Sequence, residues 1–196
     1  MNTDRTSLRQ RLRRERRTIP AIERIAAAEA LARQLLALRL APHRGSVAGY
    51  WAVDGEISLH AWQLGLPTRV SYCLPVLQDD GLLGFAPWRP GDPLASNRFG
   101  IPEPVVGPGA LLAAKDLDLV VLPLVGYAQD GYRLGMGGGW YDRTFAFRHD
   151  APAPPWLVGA GFASQRLDGL AHEPWDVRLD ALCNERESLQ FEDLPA

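Results

Sequence analysis

The sequence predicts an α/β protein, a single-domain three-layer sandwich in which helices cover both faces of a mostly parallel sheet. Two observations support this class. Apolar segments of strand length alternate with segments of helical period along the 196 residues. The most apolar segment, residues 117–125, is almost free of polar side chains, as expected for a central strand that is buried on both faces.

Two helices are predicted before the first strand. Residues 4–18 form a basic helix that packs onto the α/β core, with Leu8 and Leu12 one turn apart. Pro20 opens the second helix, and Pro42 ends it. Its apolar positions form one broad stripe: Ile22, Ile25, Ala26, Leu31, Leu35, Leu36 and Leu38.

The helical period then gives way to the first strand. Residues 46–53 are apolar enough for a buried strand, and Asp54 and Gly55 after them favour a turn. Residues 60–64 are predicted to form a short helix that ends at Gly65.

A hairpin follows. Residues 69–76 form a strand, and residues 82–88 are its antiparallel partner, because the sequence Gln-Asp-Asp-Gly at 78–81 has strong turn chemistry. Residues 89–109 are rich in Pro and Gly and are predicted to be irregular. A connection of that length is usually functional, so we expect it to contribute ligand contacts.

The second half of the chain repeats the strand and helix alternation within the same domain, residues 1–196. Its elements are a central strand (117–125), a helix (140–149), a buried strand (156–162) and a short edge strand (181–185).

Glycine occupies four of the five positions from 135 to 139. Glycine loses more backbone entropy on folding than any other residue, so such a loop persists where the backbone needs positive φ or close contact. Successive N–H groups can then converge on one anion, and the following helix adds its positive end. Arg133 and Asp142 flank the loop as a phosphate partner and a metal ligand. The loop therefore predicts a phosphate cradle.

Neither standard phosphate motif fits this loop. The dinucleotide fingerprint requires a third glycine where Trp140 stands, and the Walker loop requires a lysine that is absent nearby. A tight strand-to-helix turn without a ligand is the alternative. The cradle is favoured because the loop follows the most buried strand, where open α/β sheets place their crevices.

Composition limits the classes of function. The net charge is −2, yet eight arginines lie within the first 24 residues, and such a segment can bind nucleic acid, bind an anionic ligand or face solvent. No apolar stretch is long enough for a membrane span, and the start of the chain does not resemble a signal peptide. Cys73 and Cys183 are far apart and are predicted to be small core residues in a reducing cytoplasm.

The segment 130–143, DGYRLGMGGGWYDR, resembles the signature of the 5-formyltetrahydrofolate cyclo-ligase (methenyltetrahydrofolate synthetase) family. Five further segments match the family in the expected order: the basic N-terminal helix, residues 53–57, 99–104 and 117–125, and the tail at 176–180. The resemblance implies a Rossmann-like sheet, similar to isomerase and coenzyme A transferase-like folds.

The resemblance also implies a reaction. Members of the family use ATP and Mg²⁺ to convert 5-formyltetrahydrofolate into 5,10-methenyltetrahydrofolate, with release of ADP and phosphate. Phosphorylation of the formyl oxygen makes it a leaving group, and the tethered N10 amine then attacks the activated carbon. The enzyme would act in the cytoplasm as a monomer, with ATP and the folate as partners and with neither nucleic acid nor membrane.

By the same resemblance, the ATP phosphates bind Arg5 and Arg9, which share one helical face. The other arginines of the helix are predicted to face solvent. The remaining ATP-binding positions are Arg133, Leu134, Gly135, Met136, Gly137, Gly138, Gly139, Trp140 and Tyr141. Met136 stands where many members carry arginine, and Gly138 stands where some carry lysine, so two positive charges are absent from this loop.

The resemblance assigns the metal to Asp142 and Asp176, a pair of carboxylates that suits Mg²⁺. Trp51 and Glu56 are assigned to the folate, together with the centre of the loop, residues 136–140. A carboxylate can accept paired hydrogen bonds from the donor edge of a pterin ring.

Two alternatives remain at this point. A sugar-phosphate isomerase or coenzyme A transferase-like enzyme would need a phosphate loop but no ATP. A nucleic-acid-binding module led by the arginine-rich helix would bind with strong salt dependence and would not need the glycine loop.

Overall fold

The computed structural model describes residues 5–107 and 109–191. Its α-helices are α1 (Arg5–Arg17), α2 (Ala21–Leu36), α3 (His60–Gly65) and α4 (Trp140–Thr144). Its strands are β1 (Gly45–Ala48), β2 (Val70–Leu77), β3 (Leu83–Pro87), β4 (Leu94–Ser96), β5 (Pro102–Pro104), β6 (Leu119–Pro123), β7 (Gly126–Tyr127), β8 (Arg133–Leu134), β9 (Trp156–Ala160), β10 (Ala181–Cys183) and β11 (Ser188–Gln190).

Seven strands form one sheet in the order β11-β10-β9-β6-β1-β2-β3. The five inner strands are parallel, whereas β3 and β11 pair antiparallel at the two edges. The prediction of a mostly parallel sheet with a central strand at 117–125 is thus confirmed. The prediction that residues 181–185 form an edge strand was wrong. The half-exposed β11, only three residues long, covers that edge.

Buried apolar side chains lie on both faces of this sheet. Helices α2 and α3 cover one face, and α4 with the segment after it covers the other. The predicted stripe of α2 was partly wrong, because Ile22 is 73 % exposed and Ile25, Ala26 and Leu36 are exposed as well. Small side chains form the buried face with Leu31 and Leu35, namely Ala27, Ala28 and Ala32, so the helix lies close to the sheet.

Helix α1 packs near the carboxyl end of β6 rather than on a sheet face. Leu8 and Leu12 bury their side chains against Val125 and Leu134, as their one-turn spacing predicted. This contact brings the basic helix beside the strand that leads into the glycine loop.

Residues 89–109, predicted to be irregular, contain the two-stranded hairpin of β4 and β5. Glu103 holds the hairpin onto β2, since its Oε1 accepts hydrogen bonds from Leu77 N at 2.9 Å and Asn97 Nδ2 at 2.8 Å. Strands of three residues are too short to show an alternating pattern, and β5 also contains two prolines, which explains the wrong prediction.

Two other predicted elements also differ from the structure. The strand at 46–53 is shorter and ends at Ala48, and the helix at 140–149 is α4 followed by a 3₁₀ turn, Ala146–His149. None of the described helices has the length and apolar character to cross a membrane.

Candidate active site

A cavity of about 860 Å³ opens at the carboxyl ends of β1, β2 and β6. Its walls come from α1, from the segment after β1, from the β4–β5 hairpin, from the glycine loop and from the turn at 173–176. Crevices in open α/β sheets form at this end of the strands.

All but one of the residues singled out in the sequence line this cavity. They are Arg5, Arg9, Trp51, Glu56, Arg133, Gly135, Met136, Gly137, Gly138, Gly139, Trp140, Tyr141, Asp142 and Asp176. The exception is Leu134, whose side chain is buried among Leu8, Leu12 and Val125 and does not reach the cavity.

The backbone of the loop shows why glycine is needed at two positions. Gly137 and Gly139 have φ values of 98° and 65°, in the left-handed region, and Gly139 caps α4. A Cβ atom on Gly139 would also lie 2.7 Å from Arg143 Nη1. The loop is therefore held in a conformation that other residues would strain.

Arg9 joins helix α1 to this loop. Its Nε donates to Gly135 O at 2.8 Å, and its Cζ lies 3.6 Å from where a Cβ on Gly137 would stand. On the other side, Arg143 Nη1 donates to Gly138 O at 2.8 Å. The loop is thus fixed by arginines from two separate elements.

The β4–β5 hairpin touches the loop through an aromatic contact. Phe99 meets Trp140 edge to face at 6.3 Å between ring centroids. The guanidinium groups of Arg98 and Arg143 lie 5.2 and 5.1 Å from the Trp140 ring. These contacts place two positive charges beside a loop whose own residues 136 and 138 carry none.

Each predicted metal ligand is paired with a predicted phosphate-binding arginine. Arg5 Nη1 donates to Asp176 Oδ2 at 2.8 Å, and Arg133 Nη2 donates to Asp142 Oδ1 at 2.9 Å. Within residues 5–107 and 109–191, the other oxygen of each carboxylate has no hydrogen-bond partner, and no three or more His, Cys, Asp or Glu side chains group as a metal cage. Two carboxylate oxygens fit Mg²⁺, which completes its shell with phosphate oxygens and water.

Glu56 is buried beside Tyr50 and Tyr141 and lines the cavity from the segment after β1. Its Oε2 accepts a hydrogen bond from Val53 N at 3.0 Å. Burial raises the pKa of Glu56 to about 7, although this hydrogen bond and the Arg16 charge favour the ionised form. Burial, and to a lesser extent the Glu56 charge, raise the pKa of Tyr141, so its hydroxyl remains protonated.

The prediction that the other arginines of α1 face solvent was wrong for Arg16 and in part for Arg13, whereas Arg11, Arg14 and Arg17 are exposed. Arg16 is only 1 % exposed and donates to Asp54 Oδ2 at 3.0 Å and to Leu124 O at 3.1 Å. Arg13 and Arg17 pair with the same carboxylate. The charge pattern of a helix cannot show that Asp54, 38 residues away, is the partner of Arg16. Arg16 is buried because this carboxylate neutralises its charge.

Trp51 lines the cavity, and its ring lies edge to face on that of Trp88, with 5.8 Å between the ring centroids.

Sequence reasoning missed several other lining residues, among them Arg13, Phe99, Glu173 and Trp175. Phe99 lies within a segment that had already been singled out. Trp175 precedes Asp176 directly, and this adjacency is the signal that could have found it.

Comparisons with known proteins identify the family of this chain. Residues 1–185 match the model of the 5-formyltetrahydrofolate cyclo-ligase family. The 5-formyltetrahydrofolate cyclo-ligase of Haemophilus influenzae is 34% identical over 184 residues, which cover 91% of this chain and 97% of that protein. The cyclo-ligase of Mycolicibacterium smegmatis is 32% identical, over 89% of this chain and 90% of its own.

A solved structure shares the fold. The NMR structure of 5,10-methenyltetrahydrofolate synthetase from Aquifex aeolicus superposes with a TM-score of 0.81 at 25% identity, covering 98% of this chain and 95% of that one. The chain therefore belongs to the 5-formyltetrahydrofolate cyclo-ligase family.

Proposed function

We propose that the cavity of this family member holds ATP and 5-formyltetrahydrofolate together and transfers the γ-phosphoryl group to the formyl oxygen. The chain is an enzyme of the cyclo-ligase class, and the reaction that follows from its family forms 5,10-methenyltetrahydrofolate. The proposal adds which residues bind each substrate and how they assist the reaction.

The contact between Arg9 Nε and Gly135 O, across 126 residues of sequence, is the observation that carries the proposal. It places a cation of the first helix against the backbone cradle of the glycine loop. A loop that binds an anion on its own would not need this helix. The triphosphate of ATP, by contrast, has enough negatively charged oxygens to contact both the helix and the loop. We assign the phosphates to Arg5, Arg9, Arg133 and the loop.

The two carboxylates beside these arginines would hold Mg²⁺. Asp142 and Asp176 each have one oxygen fixed by an arginine, which leaves the other oxygen for the ion. When bound, Mg²⁺ neutralises phosphate charge and so favours attack on the γ-phosphorus.

The folate is assigned to the wall formed by Trp51, Glu56 and the hairpin. Glu56 can accept hydrogen bonds from the N–H groups of the pterin ring, and the aromatic side chains Trp51, Phe99 and Trp140 offer apolar surface to the rest of the molecule. This arrangement directs the formyl group toward the phosphates.

The chemistry then needs little from the protein beyond position and charge. The formyl oxygen attacks the γ-phosphorus, ADP leaves, and the oxygen becomes part of a phosphate ester. N10 attacks the activated formyl carbon and loses its proton, and the C–O bond breaks to release phosphate with the original formyl oxygen. Arg5, Arg9 and Arg133 stabilise the charge that moves to the phosphate oxygens.

The two alternative functions receive no support. An isomerase or transferase on a similar scaffold would not match the family over residues 1–185. In the arginine-rich helix, Arg13, Arg16 and Arg17 are used within the protein by Asp54, so few of its charges remain for nucleic acid.

A monomer in the cytoplasm, acting without nucleic acid or membrane, is also part of the proposal. Cys73 and Cys183 are free and fully buried, which suits a reducing compartment. Sedimentation of the purified protein tests the monomer.

Purified protein with ATP, Mg²⁺ and 5-formyltetrahydrofolate should form the absorbing methenyl product. Asp142→Asn, which keeps the shape of the side chain but removes its charge, should lower the rate at least tenfold. Because the change also removes the carboxylate charge beside the buried Arg133, thermal unfolding must show that the variant is folded at the assay temperature. Folded wild-type protein that forms no more product than a reaction without enzyme would refute the proposed function.

A further inference from the structure

We infer that Trp175 is a stacking platform for the nucleobase of ATP. The inference rests on the proposed function, since it extends the nucleotide site described above. Nothing in the sequence motifs assigns a role to this residue.

Trp175 exposes an unusual amount of apolar surface for its position. The residue is 65 % exposed, and it lines the cavity. The indole makes no ring contact with another described residue, whereas Trp51 and Trp140 each contact a neighbouring aromatic ring. Tryptophan gains much free energy from burial, so an open indole inside a cavity is suited to cover a flat ligand.

The turn that carries Trp175 is rigid. Asp176 N donates to Glu173 O at 3.0 Å, and Glu173 N donates to Asp176 Oδ2 at 2.9 Å, which closes the turn in both directions. Pro174 restricts the backbone between them. His172, just before the turn, stacks on Tyr132 at 3.8 Å. The backbone of Trp175 is therefore held in a fixed place beside the cavity.

The same turn is tied to the groups assigned to the phosphates. Arg5 Nη1 donates to Asp176 Oδ2, and Arg133 Nη1 donates to Val177 O at 2.8 Å. Trp175 thus adjoins groups assigned to the phosphates, whereas Glu56 and Trp51 line the cavity from the segment after β1. Glu56, which is assigned to the pterin, contacts Val53 and Arg16 and not this turn, so the flat ring left for Trp175 is the base of ATP.

Equilibrium binding measurements distinguish a role of Trp175 in binding the base from a role in binding the phosphates or the folate. Titration calorimetry would use ADP, inorganic tripolyphosphate as a probe without a base, and 5-formyltetrahydrofolate. A base stacked on an indole loses about tenfold in affinity when the ring is removed. We expect Trp175→Ala to weaken ADP by that factor and to leave the other two probes within about twofold. Trp175→Phe should restore most of the affinity for ADP.

Leu64→Ala is the matched control. Leu64 is also 65 % exposed but lies outside the cavity, so its removal should not change any of the three affinities. Thermal unfolding of Trp175→Ala near that of wild type will show that the fold is intact.

Three results would overturn the inference. They are an unchanged affinity for ADP in Trp175→Ala, an equal loss for tripolyphosphate, which would indicate a disturbed phosphate site, and a loss confined to 5-formyltetrahydrofolate, which would place the folate on the ring. Failure of the proposed function is distinct, because wild-type protein would then bind neither ADP nor the folate.

Discussion

The guanidinium of Arg16 lies buried against Asp54, with Nη2 3.0 Å from Oδ2. Arg13 and Arg17 pair with the same carboxylate, so three arginines of α1 converge on the turn after β1. This turn leads directly to Glu56. The cluster thereby fixes the basic helix, which carries Arg5 and Arg9, relative to the folate wall.

Asp54→Asn should destabilise the protein by about 3 kcal/mol, because it removes the nearer of the two carboxylates beside the buried Arg16 and leaves only Glu56, at 4.0 Å. Asparagine also tolerates the positive φ of 54° at this position, so backbone strain does not contribute. Urea unfolding measures the change. Arg17→Ala, which removes an exposed partner of the same carboxylate, should cost less than about 1 kcal/mol. Equal effects of the two variants would contradict the central role of Arg16.

Glu56 should make stability depend on pH. Its folded pKa of about 7 lies above the value of 4.5 for the free side chain, so the folded state binds the proton more tightly. Its contribution is full below pH 4.5 and is lost as the pH rises through about 7. The free energy of unfolding should therefore fall by about 3 kcal/mol more in wild type than in Glu56→Gln between pH 4.5 and 8. Parallel curves for the two proteins would show that Glu56 ionises normally.

Arg9→Ala should weaken ATP binding by about tenfold or more, since charge-assisted hydrogen bonds contribute about 1.5–3 kcal/mol. Arg14→Ala is the matched control, because Arg14 belongs to the same helix but is exposed and does not line the cavity. Calorimetric titration with ATP compares them. If both variants bound ATP equally, the helix would contribute only general positive charge.

Alanine at Gly139 and at Gly135 should have opposite effects on stability. Gly139 has a φ of 65°, and a Cβ there would also displace the exposed side chain of Arg143, so Gly139→Ala should cost about 1–3 kcal/mol. Gly135 has no heavy atom within 4 Å of that position, so Gly135→Ala should leave stability unchanged or raise it by about 0.5 kcal/mol. Thermal unfolding compares the two, and similar losses would mean that the loop needs glycine for a reason other than φ.

Sequence reasoning succeeded where a local pattern determines the structure. The apolar run at 117–125 predicted the central strand, and the glycines at 137 and 139 predicted a strained loop beside it. The residues assigned to the site by family resemblance also came together in one cavity, with Leu134 as the exception.

Sequence reasoning failed where a contact between residues far apart in the sequence determines the structure. Arg16 is buried because Asp54 neutralises it, and no helical period shows that contact. Ile22 and Ile25 are exposed because alanines form the close face of α2. The β4–β5 hairpin exists because Glu103 bonds it to β2, although its three-residue strands show no alternation.

Oxygen-18 in the formyl group of 5-formyltetrahydrofolate tests the central claim most directly, namely that the γ-phosphoryl group goes to the formyl oxygen in this cavity. The enzyme would turn over the labelled folate with ATP and Mg²⁺, and mass spectrometry would follow the released phosphate. We predict one labelled oxygen in phosphate for each methenyl product formed. Unlabelled phosphate at full conversion would contradict the account.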